Sequence, residues 1–126
     1  MGTRLGNITF DCDEVLKVAG FWSAALGRPI DDGSSEDFAS IGAVDVERSE
    51  PALYFNKVPE LKRGKNRVHL DLFNPDPSAV AGLVALGARV VDQHDWGFHG
   101  WTVLEDPEGN EFCMAAKSFE EAKAVT

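Results

Sequence analysis

Ile8-Thr9-Phe10-Asp11 and Val68-His69-Leu70-Asp71 lie 60 residues apart, and sliding the chain over itself by that distance superimposes them without a gap. The same shift lays Ala25-Leu26-Gly27 on Ala85-Leu86-Gly87. Each copy reads as an alternating strand, an amphipathic helix and a closing Ala-Leu-Gly. Self-similarity at a fixed period marks one supersecondary unit written twice.

The elements follow outward from these anchors. Val15, Val18, Ala19, Trp22 and Leu26 recur at helical spacing, which predicts a helix from about Asp13 to Leu26 with Phe21 and Trp22 in the core. Gly27 sits where helices end in a left-handed residue. In the second copy Asp76 is the expected N-cap and Pro77 the first helical residue, with Val80, Leu83 and Val84 as the apolar stripe and Gly87 as the stop. The two helices are expected to match in length. Short strands follow each: Phe38–Ile41, Val44–Glu47 and Ala52–Lys57 in the first half, Arg89–Asp92, Trp101–Glu105 and Asn110–Ala115 in the second. Asp106-Pro107-Glu108-Gly109 is a turn that makes the last two strands a hairpin. Ser118 with Glu121 forms a capping box for a terminal helix, expected on the surface. The fold class is therefore α+β, with two β-α-β-β-β modules whose sheet lines a pocket. Module one spans about 5–58, a polar and basic linker 59–66, module two about 67–116 and the C-terminal helix 117–126, all within a single domain.

Composition narrows the function. A chain of 126 residues, 44% of them hydrophobic, can close one core. A formal net charge of −9 would be repelled by a phosphate backbone, which argues against nucleic acid as a partner. No apolar run reaches the roughly 20 residues of a membrane span. Met1 to Asn7 lack the basic-then-apolar build of a signal peptide, so a soluble, cytoplasmic protein is expected. Cys12 and Cys113 are too few for a disulfide framework and fall in strand-like segments, where a buried free thiol is ordinary; no Cys/His spacing typical of zinc occurs.

Strand parity separates two faces. Ile8, Phe10 and Cys12 oppose Asn7, Thr9 and Asp11; Val68, Leu70 and Leu72 oppose Arg67, His69 and Asp71. The apolar set meets the helices. On the other set, Tyr54 and Asn56 share a face, as do Trp101, Val103 and Glu105, and Glu111 and Cys113. Such a mixture of aromatic, apolar and ionisable groups suits a ligand pocket. His69 reads either as a hydrogen-bonding or proton-shuttling group in that pocket or as a histidine satisfied by Asp71. Asp11 and Asp71 occupy equivalent places; they read as an acid–base pair or as partners of nearby cations such as Arg67, and Glu105 and Glu111 carry the same two readings. His94-Asp95-Trp96-Gly97-Phe98-His99-Gly100-Trp101 packs aromatics and histidines around glycines. It reads as an aromatic loop stacking on a flat ligand or as a hydrophobic edge or dimer contact. Nothing near Cys113 in sequence would activate its thiol.

Phe21-Trp22 followed by Leu26-Gly27, then His69-Leu70-Asp71-Leu72, and finally Asp106-Pro107-Glu108-Gly109-Asn110-Glu111-Phe112 resemble the glyoxalase/bleomycin-resistance/dioxygenase (vicinal oxygen chelate) superfamily, over about residues 5 to 116. Lys65-Asn66-Arg67-Val68-His69-Leu70-Asp71-Leu72 looks like its actinobacterial glyoxalase-like domain branch. The resemblance implies paired modules, frequent homodimerisation and, in the enzymes, a divalent metal held from the first and last strands of each module. Carried over position by position, it points to Asn7 or Thr9, Asn56, His69 and Cys113. His69 is the one orthodox ligand among them, so no tightly bound metal or other cofactor is expected, a divalent ion being the alternative. Three functions follow. One is a non-catalytic binder that sequesters an antibiotic or other aromatic natural product, as the superfamily's resistance proteins do with bleomycin-type or enediyne compounds. Its pocket would use Asn7, Thr9, Tyr54, Asn56, His69, Trp96, Phe98, His99, Trp101 and Cys113. The second is a lyase, isomerase or dioxygenase, metal-dependent or using His69 with Asp71 or Glu105. The third is a partner-regulated or structural domain.

Overall fold

In a computed structural model the described residues are 2–95, 97 and 99–124. Trp96 and Phe98, both expected in the pocket, lie outside them. The chain divides into two compact units, Met1–Leu61 and Lys62–Thr126.

The first unit runs β1 (Asn7–Cys12), α1 (Val15–Leu26), β2 (Phe38–Ile41) and β3 (Ala52–Lys57). Its sheet has the order β1-β3-β2, with β1 parallel to β3 and β2 antiparallel to it. The periodicity of α1 works as read: Val15, Val18, Ala19, Phe21 and Trp22 are buried. They meet the apolar parity of the strands, where Cys12, Ala39, Ile41, Leu53 and Phe55 are buried. The Phe10 ring joins the two layers, 5.3 Å from Trp22 and 5.1 Å from Phe55. Gly27 stops α1 at φ 64°, a left-handed conformation that a Cβ would strain.

Module one departs from the expected strand count. Val44–Glu47 is a turn-bearing loop, with Val44 75% and Val46 92% exposed. Its alternation of apolar and acidic residues imitates a strand, but local bonds win: the Asp45 carboxylate accepts from the Glu47 N–H, and the Asp45 carbonyl from the Arg48 guanidinium. Arg28 ties this loop down by donating to the Pro51 carbonyl at 2.9 Å. Its guanidinium fills the space where a Cβ on Gly42 would stand.

The second unit contains β4 (Leu70–Phe73), α2 (Ala79–Ala85), β5 (Arg89–Asp95), β6 (Gly100–Glu105), β7 (Glu111–Ala115) and α3 (Phe119–Ala124). Its sheet order is β4-β7-β6-β5, with β4 parallel to β7 and the rest antiparallel. Leu83 of α2 is buried, as are Leu104, Phe112 and Met114 on one parity of the sheet. The two helices are unequal, 12 residues against 7. α2 begins only after Ser78, and in the turn ahead of it Asp76 Oδ1 accepts at 2.9 Å from the Ser78 N–H and at 2.8 Å from the Ser78 hydroxyl. Those two bonds hold the Asp76 carboxyl below its ordinary pKa. Val84, expected on the stripe, is exposed.

The Asp106 turn forms as read, with the Gly109 N–H donating to the Asp106 carbonyl at 2.9 Å. The capping box also forms, Ser118 and Glu121 exchanging two bonds of 3.2 Å. The terminal helix is not simply surface decoration, because Ala122 is fully buried. No described helix is long and apolar enough to cross a membrane.

Candidate functional site

On the polar parity of the second unit's sheet lies a pocket of about 420 Å³. Each strand delivers alternate side chains to it: His69 ahead of β4, Asp71 and Phe73 from β4, Glu111, Cys113 and Ala115 from β7, Trp101 and Val103 from β6, and His94 from β5. Lys65 and His99 complete the lining together with Leu72.

His94 is there because of a β-bulge. Between Val90 and Asp92 the β5–β6 register shifts, so Val91 has no partner on β6 and His94 comes to stand opposite Trp101. Simple alternation from Arg89, opposite Glu105, would instead have put Gln93 on the pocket parity. The His94 imidazole stacks on Trp101 with centroids 5.0 Å apart and planes 21° apart. His99 lies against the same indole at 5.6 Å and 30°. Asp92 steadies His94, its Oδ2 lying 3.2 Å from Nε2. The result is an aromatic wall fixed by its neighbours rather than a lone tryptophan.

The floor carries a second group. β4 and β7 run in parallel with Asp71 in register with Cys113, and His69 precedes Asp71 by two residues and so shares its face. His69 Nε2 is 3.4 Å from Asp71 Oδ1. One donor atom each from His69, Asp71 and Cys113 lies within 4.8 Å of the others. Cys113 is a buried free thiol. Burial pushes its pKa up, the Asp71 carboxylate adds to the rise by charge and hydrogen bond, and Lys65 opposes it. The thiol is thus protonated at neutral pH and no ready nucleophile.

The remaining acids are occupied. Burial alone would raise the pKa of Glu111, but the Asn66 N–H at 2.9 Å and the Lys62 ammonium at 3.3 Å bring it below the ordinary value. Glu111 therefore anchors the linker side of the unit. Glu105 is outside the pocket lining, and its carboxylate pairs with Arg89.

Of the residues singled out in the sequence, His69, Asp71, His94, His99, Trp101, Val103, Glu111 and Cys113 come together here. Asn7, Thr9, Tyr54 and Asn56 stand on the polar parity of the first unit. There Asn7 Nδ2 donates to Thr9 Oγ1 at 2.8 Å and Tyr54 packs edge-on against Phe38 at 5.4 Å. Phe73, Leu72, Ala115 and Lys65 are additions. Phe73 was readable from the His69–Asp71 alternation; His94 was expected within the aromatic stretch, but its place opposite Trp101 depends on the bulge.

The glyoxalase-like domain profile matches residues 7–115. The chain belongs to that family. Among solved structures, it resembles a glyoxalase/bleomycin resistance protein/dioxygenase family enzyme from Burkholderia phytofirmans PsJN (18% identity, 90% of this chain and 98% of that one, TM-score 0.68). It also resembles a mutant of the fosfomycin resistance protein FosX from Listeria monocytogenes, complexed with Mn(II) and 1S,2S-dihydroxypropylphosphonic acid (13% identity, 100% of each chain, TM-score 0.75). A third similar structure is hypothetical protein SA1046 from S. aureus (16% identity, 93% of this chain and 95% of that one, TM-score 0.65). At these identities the likeness establishes the fold. Among curated proteins none matches significantly.

The family implies a divalent ion in its enzymes, and the donors present test whether one fits. An imidazole, a carboxylate and a thiol within 4.8 Å suit an ion that accepts nitrogen, oxygen and sulfur together. They suit Mn(II), which favours oxygen donors in octahedral array, poorly.

Proposed function

We propose that this protein binds a flat aromatic small molecule in the pocket of its second unit and sequesters it unchanged, acting in the cytoplasm as a homodimer in the manner of the superfamily's resistance proteins. The observation that carries this reading is the Trp101 indole, flanked by His94 at 5.0 Å and His99 at 5.6 Å on the wall of a pocket of about 420 Å³. Fixed aromatic rings beside apolar Phe73, Val103 and Ala115 offer a planar ligand stacking area at little entropic cost. The chemistry around them favours holding over turnover. The thiol is protonated, and Glu111 and Glu105 are each engaged by a cation.

The test is calorimetric titration with a panel of flat aromatic natural products, bleomycin-type and enediyne antibiotics among them. Trp101→Ala should cost the best ligand about 1–3 kcal/mol of binding, as central aromatic anchors do, with the melting transition retained. Equal affinity in the variant would sink the reading. Sedimentation equilibrium reports the dimer.

A second reading rests on the His69–Asp71 contact of 3.4 Å, an acid–base pair facing the pocket. In a lyase or isomerase this pair would move a proton. His69→Ala separates the two readings: a binder loses affinity while the recovered ligand is chemically intact in wild type and variant alike, whereas an enzyme converts it and the variant does not.

A further inference from the structure

We propose that His69, Asp71 and Cys113 form a thiolate-bearing centre for a zinc-class divalent ion, built entirely from the second unit. This goes beyond the aromatic-ligand reading and does not depend on it. Three donors of three chemical kinds converge within 4.8 Å on one face of two adjacent strands. That is the number of protein ligands in a zinc site that keeps an open position. The set departs from what the resemblance implies in two ways. Cys113 stands at a ligand position without being an orthodox ligand there, and Asp71 occupies a place to which no ligand is assigned. Both changes bear on selectivity. A thiolate draws zinc and cobalt and is a poor partner for manganese or magnesium, so Cys113 is the residue that determines which ion the pocket takes.

Access and balance are consistent with this. The His69 and Asp71 side chains are 40% and 58% exposed, so an ion arrives from the pocket side, while Cys113 sits buried at the base. On binding, the Cys113 S–H bond breaks, the metal–sulfur bond forms and the proton leaves to solvent; Asp71 offers a carboxylate oxygen and His69 a ring nitrogen. The pocket above leaves room for water or a ligand in the remaining position. The competing account is a metal-free network in which the Cys113 thiol and His69 both bond to Asp71.

Cobalt decides between them. Full-length protein stripped with chelator is titrated with Co(II) and followed by absorbance. The expected result is one equivalent bound per chain, with a sulfur-to-cobalt charge-transfer band in the near ultraviolet that Zn(II) removes by displacement and Mn(II) leaves in place. Cys113→Ser should abolish the band. Asp71→Asn and His69→Ala should each weaken cobalt binding about tenfold or more, outer-shell losses alone commonly reaching that size. Cys12→Ala, which removes the other cysteine, should keep the band. No sulfur band at saturating cobalt, a band that survives Cys113→Ser, or wild-type affinity in Asp71→Asn overturns the proposal. Should Cys113→Ser fail to fold, X-ray absorption of the zinc-loaded wild type reads the same point: a sulfur scatterer at about 2.3 Å supports the centre, and its absence refutes it.

Discussion

Asp106 shows how one residue can mark a fold and say nothing of activity. It is 3% exposed, yet its carboxylate is satisfied. It accepts from the Glu108 N–H at 2.9 Å, the Asn110 N–H at 3.0 Å and the Asn110 side-chain amide at 2.9 Å. Gly109 supplies the positive φ of 85° that lets the chain come round. The Asp-Pro-x-Gly-Asn stretch is thus a self-closing corner between β6 and β7, whose job is to hold those strands in register. Asp106→Ala would leave two backbone donors and an amide without their acceptor. It should cost about 2–3 kcal/mol in urea unfolding while leaving pocket affinity unchanged. A variant of wild-type stability would show that water replaces the carboxylate without penalty.

At the scale of elements, the sequence is most readable where one local rule acts alone. Alternation assigns the faces of β1, β6 and β7 correctly, the 3.6-residue stripe finds α1, and Gly27 finds its end; around β4 it is partly wrong, Val68 being 81% exposed and Leu72 lining the pocket rather than meeting the helices. It fails where two rules compete. Val44–Glu47 alternates like a strand, but Asp45 offers the backbone nearer partners. Asp76 is a good cap by type, but α2 begins two residues later than that cap implies, and Asp76 Oδ1 takes both Ser78 donors in the turn ahead of the helix. The bulge at Val91 is the failure that matters for the site, since an extra residue is invisible to a rule of period two. It also yields a prediction. Because Arg89 and Val90 already pair with Glu105 and Leu104, and Asp92 to Asp95 with Val103 to Gly100, removing Val91 leaves every pair in place. Deleting it should straighten β5 and keep His94 opposite Trp101, with cooperative melting and wild-type affinity for an aromatic ligand. In an unbulged strand the same deletion would send every following side chain to the other face. Loss of binding in a folded deletion variant would show that the bulge itself shapes the wall.

At the scale of the whole molecule, the repeat is plain in the sequence, yet the pocket with its His69, Asp71 and Cys113 cluster belongs to the second unit alone. Parity shows His69 and Asp71 sharing a face. Only the parallel pairing of β4 with β7, residues 42 positions apart in register, brings Cys113 beside them. No linear spacing encodes that, so a search for metal motifs passes over it. Charge is the other whole-molecule property, and it acts at longer range than any contact. A net charge of −9 on 126 residues gives the chain a long-range field that attracts cations and is indifferent to neutral molecules. Stacking on Trp101 does not distinguish the two. A cationic aromatic ligand should therefore lose affinity as sodium chloride is raised from about 0.01 M to about 1 M, where the screening length shrinks from about 30 Å to about 3 Å. An uncharged analogue with the same ring controls for the effect of salt on apolar contact. The ratio of the two affinities, measured by titration across the salt series, isolates the field. A falling ratio makes the acidic surface part of ligand selection. A constant ratio confines selection to the pocket wall and leaves the charge to solubility.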